Sequence, residues 1–76
     1  MAPIIFHLNG EMVELNQLLK ITGFCNSGGA GKMLVAQGLV KVDGRTELRK
    51  TCKIRAGQVV RFADQEIHVV AQGNEE

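Results

Sequence analysis

The chain has 76 residues, which allow one modest hydrophobic core and exclude a multidomain enzyme. Hydrophobic residues make up 45% and charged residues 22%, with a single proline, so the composition is that of a globular chain and excludes disordered or collagen-like sequence. The formal net charge of +1, taken alone, argues against a strongly basic nucleic-acid-binding protein.

The expected compartment is the cytoplasm. The N-terminus lacks a charged segment followed by a long apolar one and a cleavage site, and the apolar runs are far shorter than a membrane span. Cys25 and Cys52 have no close cysteine partner, so both are expected to be reduced thiols.

The first half of the chain predicts a strand followed by two adjacent helices. Alternating residues predict a strand over 3–8, closed by the turn pair Asn9-Gly10. Leucines at helical spacing predict a first helix of about three turns over 13–22. A second helix is predicted from a cap at Asn26 or Ser27 to residue 37. Its apolar face is predicted to carry Ala30, Met33 and Leu34.

The hydrophobic period then changes from helical spacing to alternation. Gly38 is placed to end the second helix in a left-handed conformation. Residues 40–42 predict a strand that ends at the tight-turn pair Asp43-Gly44. Residues 45–55, with many charges, predict an irregular or short-strand surface segment.

The end of the chain predicts a β-hairpin. Its strands are expected over 58–63 and 66–71, around a turn at Asp64-Gln65, and residues 72–76 are expected to be frayed. The hairpin residues expected in the core are Val60, Phe62, Ile67 and Val69. Together the elements predict an α+β fold, with two helices on a small, mainly antiparallel sheet. Residues 1–76 are expected to form one domain with its core over about 4–71.

The charge is distributed unevenly along the sequence. Residues 32–61 contain eight basic and two acidic side chains, a local charge of +6, whereas the remainder carries −5. The basic members are Lys32, Lys41, Arg45, Arg49, Lys50, Lys53, Arg55 and Arg61. Such a window can supply several phosphate contacts, although a merely solvated surface has the same composition.

Three glycines stand at the predicted start of the second helix, within residues 26–32. Glycine weakens a helix, but bare backbone N–H groups at a helix N-terminus, with Lys32 about one turn further on, can bind phosphate. The alternative is that the glycines allow close packing of helices. A nucleotide-hydrolysing P-loop is rejected because Asn26 and Met33 stand where it requires Gly and Ser or Thr.

Other chemistry is weakly indicated. The two cysteines are too far apart in sequence for a dithiol motif, and His7 and His68 lack metal-ligand spacing. Glu11 and Glu14 stand where a helix dipole favours acidic residues without catalysis. No catalytic residues, metal site or cofactor are therefore predicted.

A further set of residues carries a family resemblance. In chain order these are Ser27-Gly28-Gly29, Lys32, Gly38, Val40-Lys41-Val42-Asp43-Gly44, Glu47, Arg49, Lys53, Gly57 and Val59. Over residues 13–70 the chain resembles the RNA-binding domain first seen in the fourth protein of the small ribosomal subunit. It is most similar to the small free-standing bacterial members, which are described as ribosome-associated or RNA-binding proteins.

The resemblance implies an alpha-L motif, an L-shaped arrangement of the two helices whose outer surface grips structured RNA. It implies RNA-binding roles at the start of the second helix and in the basic strand and loop, to which Arg55 is added from the same basic window. The RNA-binding residues predicted in this way are Ser27, Gly28, Gly29, Lys32, Lys41, Arg45, Arg49, Lys50, Lys53 and Arg55.

The sequence therefore predicts a non-enzymatic monomer that binds structured RNA, either ribosomal or ribosome-associated. No membrane or small-molecule substrate is expected. One alternative is a protein-interaction adaptor whose basic face docks an acidic partner. Another, less favoured, is a small thiol-based regulator.

Overall fold

The computed structural model describes residues 2–72. Within this range two helices and seven short strands follow one another along the chain. They are β1 (Ile4–His7), β2 (Val13–Glu14), α1 (Leu15–Ile21), α2 (Gly28–Ala36), β3 (Val40–Val42), β4 (Arg45–Thr46), β5 (Lys53–Ile54), β6 (Val59–Phe62) and β7 (Gln65–Val70). The last four residues of the predicted frayed tail, 73–76, lie outside the described residues.

The strands form one five-stranded and one two-stranded sheet. The larger sheet has the order β1-β7-β6-β3-β4, and the smaller pairs β2 with β5. Among the strand pairs within residues 2–72, only β1 and β7 run parallel, and the other pairs are antiparallel. The predicted α+β class with a mainly antiparallel sheet is confirmed.

The first strand follows its alternating sequence. Ile4 and Phe6 are half-buried and pack against the core, whereas Ile5 and His7 face solvent. Its pairing with β7 aligns Ile4 with Ile67, which is fully buried. A half-buried strand of this kind is what an alternating apolar pattern specifies.

The first helix begins later than predicted. Val13 and Glu14 form a strand that pairs with Ile54 and Lys53, so α1 starts at Leu15 and its seven residues make about two turns. The prediction of three turns from residue 13 was wrong because strand pairing with a distant segment took precedence over helical spacing. The leucines of α1 that the spacing identified are fully buried: Leu15, Leu18 and Leu19.

The second helix is capped by Ser27, whose hydroxyl accepts a hydrogen bond from the Ala30 N–H at 3.1 Å. Gly38 follows the helix with a φ of +77°, the left-handed conformation predicted for it. The predicted apolar face was wrong at Met33, which is 62% exposed. The buried positions are instead Gly31 and Val35, one turn apart on the same face.

The hairpin turns agree with the sequence at one site and differ by one residue at the other. Asp43 and Gly44 have φ values of +52° and +85° and join β3 to β4 as predicted. The second turn lies at Ala63–Asp64 and not at Asp64-Gln65, because Gln65 is already the first residue of β7 and pairs with Phe62, the last residue of β6. The segment 45–55 contains the short strands β4 and β5, which the sequence allowed. β4 is exposed, but the prediction of a surface segment was wrong at Ile54 of β5, which pairs with Val13 and is buried in the core.

One hydrophobic cluster joins both helices to both sheets. Its buried residues are Leu8, Leu15, Leu18, Leu19, Val35, Val40, Val42, Ile54, Val60, Ile67 and Val69. Three of the four hairpin core residues predicted are therefore buried, and Phe62 is half-buried with its ring edge-on to Phe24 at 5.4 Å between centroids. Neither helix in residues 2–72 has the length and apolar character required to cross a membrane.

Candidate functional site

A surface groove, here called the cationic groove, brings together residues from β3 to β6. Arg45, Arg49 and Lys53 are its basic members, three of the ten site residues that the sequence predicted. The full lining is Val42, Asp43, Arg45, Thr46, Glu47, Arg49, Cys52, Lys53 and Gln58. The lining does not include the predicted residues Lys32, Lys41, Lys50 and Arg55.

Backbone hydrogen bonds fix the chain that carries this groove. The Glu47 N–H donates to the Val40 carbonyl at 3.0 Å, which extends the β3–β4 pairing by one step. The Cys52 N–H donates to the Arg49 carbonyl at 3.1 Å and closes a turn. The Leu15 N–H, at the start of α1, donates to the Cys52 carbonyl at 2.8 Å. The irregular segment is therefore held by the sheet at one end and by α1 at the other.

The Glu47 carboxylate binds both the side chain and the backbone of Arg49. Arg49 Nε and Nη2 donate to the two carboxylate oxygens at 2.9 and 3.1 Å, and the Arg49 backbone N–H donates to Oε2 at 2.9 Å. These contacts lower the pKa of Glu47 from 4.5 to about 2 and raise the pKa of Arg49. The sequence did not place Glu47 in the site, although its spacing of two residues from Arg49 is visible there.

Cys52 lies next to this ion pair but is poorly suited to nucleophilic chemistry. Its Sγ lies 3.6 Å from Glu47 Oε1 and 3.7 Å from Arg49 Nη2. Burial, followed by the negative charge of Glu47, raises the pKa of the Cys52 thiol. The protonated thiol is therefore favoured, whereas reactive cysteines depend on a lowered pKa.

A second group of charges lies on the outer face of the five-stranded sheet. Lys41 is exposed between the buried Val40 and Val42, and it lies opposite Arg61 of β6. Arg61 Nη1 contacts Glu66 Oε2 at 3.0 Å, so its charge is compensated locally. Lys41 is not part of the lining of the cationic groove, although its cross-strand partner Thr46 is.

The glycines at the start of α2 have different surroundings. Near Gly29, a Cβ atom would meet only Ser27 Oγ at 3.9 Å, so this backbone is open. At Gly31, a Cβ atom would lie 2.5 Å from the Asn16 carbonyl oxygen of α1, closer than real Cβ contacts allow. Gly31 is therefore required for close packing of the helices, whereas the openness at Gly29 leaves room for a ligand.

The Asn16 side chain of α1 adds a hydrogen bond between the two helices. This side chain is almost completely buried, and Nδ2 donates to the Gly28 carbonyl at 3.3 Å. Two N–H groups at the first positions of α2, those of Gly28 and Gly29, have no acceptor within residues 2–72, as is usual for a helix N-terminus. The helix contact therefore sets the direction in which these donors face.

Metal binding has no structural support in the described chain. Residues 2–72 contain no group of three or more His, Cys, Asp or Glu side chains placed to hold a metal ion. Both cysteines in this range are free thiols.

Comparison with known families agrees with this fold. The family model described as the S4 domain matches residues 6–70, which is most of the chain. The protein therefore belongs to the S4 domain family.

Individual relatives are similar over most of their length. YbcJ of Escherichia coli, provisionally named an RNA-binding protein, is 54% identical over 59 residues, which cover 78% of this chain and 84% of the relative. The uncharacterised YbcJ of Shigella flexneri matches with the same identity and coverage.

A solved structure is similar at the level of the fold. The solution structure of YbcJ from E. coli, described as revealing an alpha-L motif involved in RNA binding, has a TM-score of 0.71 and 47% sequence identity. The match covers 93% of this chain and 91% of that one. The predicted alpha-L arrangement of helices and sheet is confirmed.

Proposed function

We propose that this protein binds structured RNA, without catalysis, through the cationic groove and the start of α2. The observation that carries the proposal is the grouping of Arg45, Arg49 and Lys53 on a hydrogen-bonded segment of an S4 domain. The E. coli relative, described as having an alpha-L motif involved in RNA binding, supports the same function. Thiol chemistry is disfavoured by the raised pKa of Cys52.

The balance of ion pairs supports binding to phosphates. Within residues 2–72, two of the eight basic residues of the 32–61 window, Arg49 and Arg61, have carboxylate partners. The other six form no ion pair in this range, although Lys53 lies opposite Glu14 in the β2–β5 pairing: Lys32, Lys41, Arg45, Lys50, Lys53 and Arg55. Uncompensated cations release condensed counterions when they meet a nucleic acid, and this release favours binding.

The kind of RNA recognised follows from the aromatic residues. The chain has no Trp or Tyr and three Phe. All three, Phe6, Phe24 and Phe62, pack against the hydrophobic core. Without a surface on which bases stack, recognition falls to backbone phosphates and the shape of a folded RNA.

The proposed interface comprises the ten residues predicted from the sequence, and three of them, Arg45, Arg49 and Lys53, line the groove. Ser27, Gly28 and Gly29 contribute the start of α2, which is open at Gly29 and bordered by the Gln17 side chain at Gly28, and Lys32 follows one turn later. We further propose that the target is ribosomal RNA or a ribosomal particle, and that the protein acts as a cytoplasmic monomer with no cofactor.

Filter binding across a salt series tests this function. In vitro-transcribed ribosomal RNA is the probe, and transfer RNA and single-stranded poly(U) are the comparators. Binding to ribosomal RNA should weaken linearly on a log–log plot against salt, with a slope that reflects several ion contacts. Equal affinity for transfer RNA would contradict the ribosomal preference alone. A flat slope, or no binding, would contradict RNA recognition and favour the adaptor alternative.

A further inference from the structure

We propose that Glu47 is a positioning residue that holds the Arg49 guanidinium ready for a phosphate group of RNA in the cationic groove. This inference rests on the proposed RNA-binding function and deepens it. It assigns to one of the two acidic side chains in the groove lining a role that promotes binding to a polyanion.

The geometry restrains one edge of the guanidinium and leaves the other available. Glu47 occupies the edge formed by Nε and Nη2 through two hydrogen bonds of 2.9 and 3.1 Å. Nη1 has no partner within residues 2–72, and the Arg49 side chain is 77% exposed. A guanidinium offers five N–H donors in a planar fork, so Nη1 can still donate to a phosphate oxygen.

The Glu47 side chain is itself restrained by burial and by several hydrogen bonds, so it can fix the orientation of Arg49. Its side chain is 16% exposed, its backbone N–H is bonded to Val40 in the sheet, and its carboxylate also accepts from the Arg49 backbone N–H. The Cys52 thiol donates to Glu47 Oε1 at 3.6 Å. A carboxylate with this many partners cannot rotate freely, and neither can the arginine bonded to it.

Two opposing effects act on RNA affinity. The negative charge of Glu47 repels phosphates, and this alone predicts tighter binding when the charge is removed. Pre-orienting Arg49 reduces the side-chain entropy lost on binding, which predicts weaker binding when Glu47 is removed. The two effects have opposite signs, so the direction in which RNA affinity changes on substitution of Glu47 shows which effect is larger.

The test compares Glu47→Gln with Glu11→Gln by filter binding to ribosomal RNA across a salt series. Glu11 is exposed and outside the groove lining, so its substitution is a matched loss of one negative charge. We expect Glu47→Gln to weaken binding several-fold and to reduce the salt slope by about 1, despite the more positive net charge. Glu11→Gln should leave affinity unchanged or slightly increased. Equal behaviour of the two variants would overturn the inference.

A double substitution separates positioning from a general effect on the fold. In an Arg49→Ala background, Glu47→Gln should cause no further loss of affinity, because Glu47 then has no guanidinium to orient. A further loss would show a structural role and overturn the inference. Arg49→Lys keeps the charge but lacks the planar fork, and we expect it to bind as weakly as Glu47→Gln.

Nuclear magnetic resonance of the unmodified chain gives a second test that does not depend on variants. The Arg49 Nε–H signal should be protected from solvent exchange in the free protein and remain protected in the RNA complex. Loss of that protection on binding would show that Arg49 leaves Glu47 and would overturn the inference.

The positioning role and the proposed function can fail separately. If the unmodified chain does not bind ribosomal RNA, both are overturned. If it binds, and the Glu47→Gln and Glu11→Gln variants have the same affinity, the positioning role alone is overturned.

Discussion

The contact between α1 and α2 and the segment 45–53 differ in what holds them in place. At the helix contact, Gly31 and Asn16 are buried and approach closely, so the geometry is fixed by steric fit. In the segment 45–53, side chains are largely exposed and the geometry is fixed by hydrogen bonds around Glu47. Steric fit should therefore control stability, and the charged segment should control binding.

The glycine-rich sequence that precedes Lys32 contributes both to the helix contact and to the exposed start of α2. From the sequence, its glycines are explained equally well by phosphate binding and by helix packing. The structure divides the explanations between positions, because Gly31 faces the backbone of α1 and Gly29 faces open space. An alanine substitution should therefore destabilise the fold at Gly31 and not at Gly29.

The largest expected effect is on stability, from Gly31→Ala. The added methyl group would meet the Asn16 carbonyl oxygen, so we expect the free energy of unfolding to fall by about 1–3 kcal/mol. Each kcal/mol corresponds to a decrease of about 4–8 °C in Tm for a chain of this size. Gly29→Ala is the matched control and should leave Tm unchanged or raise it. A Gly31→Ala variant as stable as the unmodified chain would show that the helix contact is not sterically fixed.

The next effect concerns the cap of α2. Ser27→Ala removes the acceptor for the Ala30 N–H, and we expect a loss of about 1 kcal/mol in the free energy of unfolding. Thermal unfolding followed by far-ultraviolet circular dichroism measures it. Asn26→Ala is the control because Ser27, and not Asn26, caps the helix. An equal loss in both variants would contradict the assignment of the cap.

In the charged segment the expected effect is on RNA affinity. Arg49→Ala and Lys53→Ala should each weaken binding to ribosomal RNA and reduce the log–log salt slope by about 1, without unfolding the protein. Lys20→Ala, in the last turn of α1 and outside the groove lining, is the control. Unchanged RNA affinity in both groove variants would place the RNA site elsewhere. It would also contradict the view that the segment 45–53 controls binding.

The smallest expected effect is a pH dependence of stability that originates at Glu47. Its pKa is lower in the folded chain, at about 2, than its ordinary value of 4.5, so the ionised form stabilises the fold. This contribution is complete above the ordinary value and is lost as pH falls towards about 2. It should be small because Arg49 is exposed.

The difference in Tm between the unmodified chain and Glu47→Gln measures this effect. The difference should shrink across the acidic range, and Glu11→Gln corrects for the loss of one charge. A difference that stays constant with pH would show that the ion pair with Arg49 does not stabilise the fold.

Local sequence patterns predicted most of the secondary structure. The alternation around Ile5, the leucine spacing of α1 and the Asp43-Gly44 turn each depend on neighbouring residues, and all three were correct in type. The start of α1 was not predictable in this way. Val13 becomes a strand residue only because Ile54, far away in sequence, pairs with it.

The sequence predicted which residues of the candidate site are basic, but not which of them lie together on the folded surface. Charge counting identified the basic window, yet only Arg45, Arg49 and Lys53 of the predicted set share the groove. Strand alternation placed Lys41 on the sheet face instead. Glu47 carried part of the family resemblance but was left out of the predicted site, because an acidic residue in a basic window gives no sign of its partner until the chain is folded.

The sequence by itself therefore determined the type of most helices and strands, the Asp43-Gly44 turn and the concentration of positive charge, because these depend on residues close together in the chain. The tertiary structure decided where α1 begins, which glycine is needed for packing and which cations meet in one groove. Each of those outcomes requires contact between distant segments: Val13 with Ile54, Gly31 with Asn16, and the start of α1 with Cys52. Local conformational preference carries no information about such contacts, so they appear only when the core is assembled.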